Sequence, residues 1–290
     1  MKDYLIRGLV PSKNCRVFAC QTTHLLEDAR MKHHLWPTAS AALGRLMSAT
    51  LMMGAMNKNH EKMTVTINGG GPIGTMIATT NSDGKIKAFA ANPEVHYTYN
   101  DTGKLAVGYA VGREGTLQVI KDMGLKEPFV GTVPLQSGEI GDDFSYYFMV
   151  SEQTPSVVSV GVLVNDTNEI LSSGGFIIQL LPEANEEDIV YIENKMKDFP
   201  PVSSLIHDGK SPEAILKMLF DDVEILDHQD LFFECDCSKE QMKAALITVG
   251  KDEIQAMINE DHGCEMTCHF CNTKYQFSEE ELTELLTELS

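Results

Sequence analysis

The chain has 290 residues, 43% apolar and 22% charged. That length suits about two domains, and the composition excludes wholesale disorder, collagenous repeats and disulfide-stapled miniatures. With 42 Asp/Glu against 23 Lys/Arg the formal charge is −19, which repels phosphate backbones and anionic headgroups and counts against nucleic-acid and membrane partners.

The opening Met1-Lys2-Asp3-Tyr4-Leu5-Ile6-Arg7 lacks the apolar run of a secretory signal, so a cytoplasmic location is expected. The stretch around Leu46–Met56 is broken by Ser48, Thr50 and Gly54 and falls short of the ~18 residues of a bilayer span. Seven cysteines, an odd number, point in a reducing compartment to metal or redox chemistry rather than a static disulfide framework. Cys15 and Cys20 read as small apolar residues of an early strand or loop, and His33-His34 as solvated surface.

Residues 1–180 are predicted as a mixed α+β core domain with antiparallel sheets and packed helices. Pro37-Thr38 starts a helix whose Leu43, Leu46, Met47 and Leu51 share one face, with Met52, Met53 and Met56 continuing the apolar stretch. Met63–Ile67 alternates at period two, Ile73–Thr80 follows a glycine turn, and Asn81-Ser82-Asp83-Gly84 leads into Ile86–Ala91, which together read as an antiparallel meander. Gly69-Gly70-Gly71-Pro72-Ile73-Gly74 fits the G-x-G-x-x-G pattern, but a strand rather than a helix follows, so it reads as a hairpin turn and not a dinucleotide site. Further strands are predicted at Gln118–Lys121, Phe129–Val133, Ser156–Val164 and Ile170–Leu180, with a helix over Ile140–Gln153 striped by Phe144, Tyr147 and Phe148.

From Pro182 the texture changes. Residues 181–240 hold 16 Asp/Glu against 5 Lys, a self-repelling composition, and residues 181–234 read as a marginal, largely helical acidic linker. Asn185 before Glu186-Glu187-Asp188 is an N-cap with an acidic first turn, Pro200-Pro201 stop that helix, and Pro212–Phe220 forms another. Residues 235–290 form a small C-terminal unit in which Ser238-x-x-Gln241 and Ser278-x-x-Glu281 resemble capping boxes. They predict helices over Lys239–Thr248 and Glu279–Leu289.

That C-terminal unit contains Cys235-Asp236-Cys237 and, beyond a short helical insert, Cys268-His269-Phe270-Cys271. Two close thiol pairs so arranged suit a tetrahedral four-thiolate zinc site, one ion per chain, with Cys235, Cys237, Cys268 and Cys271 as ligands. Leu246, Ile247, Ile254, Ile258, Phe270, Tyr275 and Phe277 make only a thin core, so the ion is expected to hold the unit together. The C-x-C pair is less usual than C-x-x-C in a purely structural ribbon, and zinc-bound thiolates remain oxidisable; the combination suggests a redox sensor. His262 and His269 lie near enough in sequence to replace a ligand, though four thiolates suffice without them.

The sequence resembles the heat-shock protein 33 family of redox-regulated bacterial chaperones. The resemblance rests on Cys235–Glu240, on Cys268-His269-Phe270-Cys271-Asn272 with Tyr275-Gln276-Phe277, on Ser151–Ser156, on Gly174-Gly175 and on Gln179–Pro182. It implies an ATP-independent holdase, inactive while zinc sits on four reduced cysteines and not an enzyme. Oxidation is then expected to form Cys235–Cys237 and Cys268–Cys271 disulfides, release zinc and unfold the C-terminal region. The resemblance further implies an active form, commonly a homodimer, that binds unfolded clients and protects them from aggregation under oxidative and thermal stress, with the 1–180 domain as the candidate for client binding. Cys264, four positions before Cys268, could compete in that pairing.

Two rival functions differ in what they require. A nucleic-acid-binding zinc ribbon needs basic side chains around its knuckles, whereas residues 235–290 carry four Lys, no Arg and twelve Asp/Glu. A thiol-disulfide oxidoreductase using Cys268-x-x-Cys271 needs an exposed low-pKa thiol at a helix N-terminus in a βαβ setting, which the sequence does not supply.

Overall fold

A computed structural model describes residues 2–57 and 61–288. The chain divides into two compact units, residues 1–234 and 235–290.

The first unit is organised around one helix held between two sheets. Strands β1 (Tyr4–Val10) and β2 (Cys15–Gln21) open the chain, followed by helices α1 (Thr23–His33) and α2 (Pro37–Gly54). A meander of β3 (Lys62–Asn68), β4 (Met76–Asn81) and β5 (Lys85–Ala90) comes next, then α3 (Val107–Val111), β6 (Thr116–Asp122), β7 (Phe129–Pro134) and α4 (Gly141–Val150). The long pair β8 (Ser156–Val164) and β9 (Ile170–Leu180) precedes α5 (Glu186–Lys197), α6 (Val202–His207) and α7 (Pro212–Leu219), and β10 (Glu224–Asp230) and β11 (Phe232–Phe233) end the unit.

One sheet has the order β10-β1-β2-β9-β8 and the other β11-β5-β4-β3-β6-β7, antiparallel except where β11 meets β5. Helix α2 packs on both sheets. It begins with Pro at its first position and is buried along nearly its whole length. Alanines 39, 41, 42 and 49 and Gly44 keep it slim enough for that double contact, and Met47, Met52 and Met53 are core residues. Of its buried hydroxyls, Ser48 donates to Gly44 O (2.9 Å) and meets Thr22 Oγ1 (2.8 Å), whereas Ser40 Oγ and Thr50 Oγ1 find no partner among the described residues.

On the opposite face of the five-stranded sheet, α5, α6 and α7 cover Ile6, Val17, Phe176 and Ile178 with Ile192, Leu205, Ile206 and Leu216, giving a second buried cluster. Residues 181–234 thus add β10 as an edge strand beside β1 as well as three helices. The predicted helix over Ile140–Gln153 is shorter, Gly141–Val150. Ile140 has φ 70°, and the buried Asp143 carboxylate accepts the N–H groups of Gln136 (2.7 Å), Ser137 (3.0 Å) and Ile140 (2.9 Å). Helices α1 and α3 add to the predicted set. His33, expected as solvated surface, is buried at the end of α1, and only its neighbour His34 is exposed. Adjacent residues of a helix point apart, so one ring enters the core as the other leaves it.

The second unit contains α8 (Lys239–Val249), α9 (Lys251–Ala256) continued by a wide turn to Asp261, the hairpin β12 (Gly263–Thr267)–β13 (Lys274–Ser278), and α10 (Glu279–Glu288). The predicted end of the last helix at Leu289 lies outside the described residues. Leu246, Ile254, Ile258, Phe277, Leu282 and Leu285 form the core. Ile247, predicted to join it, is 39% exposed, because it follows Leu246 on α8 and turns to the outer face.

Candidate metal centre

Cys235 and Cys237 sit on the extended segment that leads into α8, whose N-cap Ser238 accepts the N–H of Gln241 (3.3 Å). Alternation along an extended chain sends residues two apart to the same side, so a C-x-C pair offers both sulfurs to one point. Cys268 and Cys271 occupy the turn between β12 and β13. Cys268 N–H bonds Thr273 O (2.9 Å), Asn272 N–H bonds Cys268 O (2.8 Å), and Asn272 takes a left-handed φ of 56° that curls the chain under its sulfurs. The β12–β13 register, from Gly263 opposite Ser278 to Thr267 opposite Lys274, fixes where this knuckle projects.

The two pairs converge. All four Sγ atoms lie within 4.8 Å of one another, with Cys235–Cys268 at 3.7 Å and Cys237–Cys271 at 3.4 Å. Four sulfurs at ~2.3 Å from a tetrahedral zinc would stand about 3.8 Å apart, so the cage has the size for that ion. Cys268 is buried and the other three are half-buried.

Burial pushes the Cys235 and Cys268 thiols up, and hydrogen bonds among neighbouring sulfurs push the same way. Burial opposes ionisation at Cys271 too. There it is outweighed by the hydroxyl and backbone N–H of Thr273 and by hydrogen bonds from Cys237 and Cys268, which bring the thiol down to about 7. Thr273 Oγ1 lies 3.2 Å from Cys271 Sγ. Tyr275 reaches back from β13, its hydroxyl 3.1 Å from Cys237 Sγ and donating to Cys237 O (3.0 Å). That hydroxyl is pushed up to about 12, first by its hydrogen bond with Cys237 and then by desolvation. Four sulfurs so close cannot all ionise without a positive partner, and a thiophilic divalent cation is the group that fits them.

All four cysteines singled out in the sequence are therefore brought together, and the histidines are not. Among the described residues the metal-holding group contains neither His262 nor His269, and His262 Nδ1 faces Glu279 Oε2 at 3.0 Å. Cys264 lies on β12 opposite Phe277, packed against the core of the second unit and outside the group. Cys15 and Cys20 are buried on β2, where burial raises both thiols to about 12, the behaviour of inert core thiols. Gly69–Gly74 is the turn of the β3–β4 hairpin, with no helix after it. The sequence gives Tyr275 only a place in the core, not at the metal centre. Thr273 carries no sequence signal beyond its position two residues after Cys271.

The family described as Hsp33 protein matches residues 3–278. The 33 kDa chaperonin of Bacillus velezensis is 50% identical over 287 residues, 99% of each chain, and that of Bacillus subtilis is 50% identical over 284 residues, 98% of each. The crystal structure of the 33 kDa chaperonin (heat shock protein 33 homolog) of Thermotoga maritima superposes with a TM-score of 0.92 at 35% identity, covering 100% of this chain and 99% of that one. With its four-cysteine group in place and relatives of this similarity along its whole length, the chain belongs to the Hsp33 chaperonin family.

Proposed function

We propose that this protein is a redox-regulated, ATP-independent holdase of the cytoplasm that protects unfolding proteins from aggregation under oxidative and thermal stress. The carrying observation is the convergence of four sulfurs in a unit whose core has, among the described residues, six buried apolar side chains. A structural zinc contributes on the order of 10–16 kcal/mol to folding at neutral pH, more than so small a core supplies. Bound to Cys235, Cys237, Cys268 and Cys271, zinc would supply charge neutralisation and a cross-link between the extended segment and the knuckle.

In the reduced state the thiolates keep residues 235–290 compact and the protein inactive. Peroxide removes two electrons from each neighbouring pair. One sulfur attacks the peroxide and a hydroxide leaves. The second sulfur then displaces hydroxide from the resulting sulfenic acid, forming the S–S bond, and the peroxide ends as two waters. Disulfides Cys235–Cys237 and Cys268–Cys271 would leave no thiolate to hold a zinc ion, so zinc would be released, and residues 235–290, without that cross-link, lose their fold. The acidic segment 181–234 loosens in turn and opens the client-binding surface of residues 1–180, and the active form pairs as a homodimer. The protein holds clients and catalyses nothing.

The thiol of Cys271, near 7, also suits dithiol exchange, the activity of a thiol-disulfide oxidoreductase. It stands in a β-hairpin turn rather than at a helix N-terminus, which favours the metal-holding role. The deciding experiment measures aggregation of a thermally unfolding test protein, without ATP, beside the reduced zinc-loaded chain and beside the same chain after peroxide at elevated temperature. Suppression by the oxidised form alone is expected. Equal suppression by both forms removes the switch, suppression by neither removes the chaperone, and insulin reduction would support the exchange activity instead.

A further inference from the structure

The edges of the two sheets in the first unit are guarded unequally. Edge strand β10 carries Glu224, Asp227 and Asp230, β7 ends in Pro134, and β11 is two residues long. Charges, prolines and shortness are the usual devices that stop an edge from pairing with another chain. Edge strand β8, Ser-Val-Val-Ser-Val-Gly-Val-Leu-Val, has nine residues with no charge and no proline.

The hydrogen-bond parity of β8 follows from two contacts. Val158 N–H points away from β9 to Ser145 Oγ (3.2 Å). Ser173, opposite Val162, turns its C=O toward Thr22 N–H (2.8 Å) and its N–H toward Thr23 Oγ1 (3.1 Å), away from β8. In an antiparallel ladder such residues alternate, so Val160 and Val162 direct both N–H and C=O to the free edge. Among the described residues nothing pairs with them there.

That edge is the floor of a cleft of about 820 Å³ that runs along Ser159–Asp166. Tyr99, Leu105, Pro201 and Val202 also line it, and the Arg45 guanidinium in the cleft is neutralised by Glu139 (2.6 Å). The five residues from Val160 to Val164 span about 16 Å at ~3.3 Å each, room for a similar length of one extended chain. A single extended chain can lie along an edge of that length inside the cleft.

We propose that the β8 edge at Val160–Val164 captures an extended, uncharged, β-branched or aliphatic segment of an unfolding client by strand addition. The ladder reads backbone rather than side chains, so such a site accepts many sequences, as a holdase must. This inference rests on the holdase function proposed above and names how it grips; Pro201, Val202 and Ser203 of the 181–234 segment line the cleft in the compact form, so loosening of that segment widens the access to the edge.

Val162→Pro tests it, since it removes an N–H that bonds nothing in the fold, and edge positions tolerate proline. Val162→Thr keeps the N–H and serves as control. With oxidised proteins, Val162→Pro should hold a thermally unfolding test protein about fivefold less well, the scale of one lost hydrogen bond, while Val162→Thr holds normally. Equal holding by a folded Val162→Pro overturns the proposal. Should that variant not fold, amide exchange on the wild-type oxidised protein decides. Adding reduced, carboxymethylated lactalbumin should slow the Val160 and Val162 amides about tenfold. No slowing overturns the proposal, and so does slowing that arises on oxidation alone with a doubling of mass, which would make the edge a contact between copies. If oxidised wild type holds no client at all, the holdase function itself has failed, a result distinct from loss in the proline variant alone.

Discussion

Cys237 Sγ and Cys271 Sγ lie 3.4 Å apart although 34 positions separate them in the chain, and Cys235 Sγ stands in the same relation to Cys268 at 3.7 Å. The near contacts thus run between the extended segment and the knuckle. A disulfide along either would close a long loop and staple the unit shut, whereas Cys235–Cys237 and Cys268–Cys271 close tiny rings and constrain little.

Peptide mapping after peroxide should therefore find the neighbouring pairs, accompanied by loss of amide protection throughout residues 235–290. Recovery of Cys235–Cys268 or Cys237–Cys271 with protection retained would make oxidation a lock rather than a release. Cys264, packed beside the second unit's core, should remain a free thiol until the unit has opened.

Tyr275 offers a way to weaken the centre without touching a ligand. Its hydroxyl holds Cys237 through both the carbonyl and the sulfur. Partners that orient ligands in this way are worth about 10–100-fold in metal affinity. Tyr275→Phe should raise the zinc dissociation constant by that factor in a chelator competition while the far-ultraviolet circular dichroism of the zinc-loaded protein stays unchanged. Cys271→Ser should cost more than the tyrosine variant. An unchanged zinc affinity in Tyr275→Phe would leave its hydroxyl a merely structural contact.

The convergence of the four cysteines was legible because its chemistry is local in sequence: two short cysteine pairs, two capping serines and a thin apolar set. Most strands were legible too, since Met63–Ile67 alternates and β8 and β9 are runs of β-branched and aliphatic residues bounded by turns. What escaped was set by tertiary contact. Helix α1 buries only Leu25, Leu26, Ala29 and His33 among charged neighbours, too weak a stripe to announce itself. Asp143 starts α4 by collecting backbone donors from the preceding loop, and no spacing pattern encodes that. The participation of β10 in the first sheet depends on pairing with β1, the strand that opens the chain.

Gly44 shows how tightly the central helix is fitted. A Cβ there would run into Leu26 and come within 2.8 Å of Val162 Cγ2. Gly44→Val should destabilise the first unit by about 1–3 kcal/mol through overpacking, read as a lower urea midpoint with unchanged slope. A Gly44→Val protein as stable as wild type would mean that α2 can shift between its two sheets.

Helix α5 is fastened at its first turn by a reciprocal cap. Asn185 accepts the N–H groups of Glu187 (2.9 Å) and Asp188 (3.2 Å), while Asp188 accepts Asn14 Nδ2 (3.0 Å) and Asn185 N–H (3.2 Å). The hydrogen bond from Asn14, then that from Asn185, holds the Asp188 carboxyl below its ordinary 3.8. A lowered carboxylate pKa contributes stability that is complete above the ordinary value and lost as pH falls through the lowered one. Amide protection in α5, corrected for intrinsic exchange, should accordingly be flat from neutrality down to about pH 5 and fall only in acid below about 3.8. Asp188→Asn should abolish that acid step. Asn185→Ala, which removes the cap at every pH, should cost about 1 kcal/mol of local stability and let the oxidised protein reach full holding at a lower temperature than wild type. If the alanine variant frays α5 in exchange measurements yet activates at the wild-type temperature, loosening of residues 181–234 is not the step that limits activation.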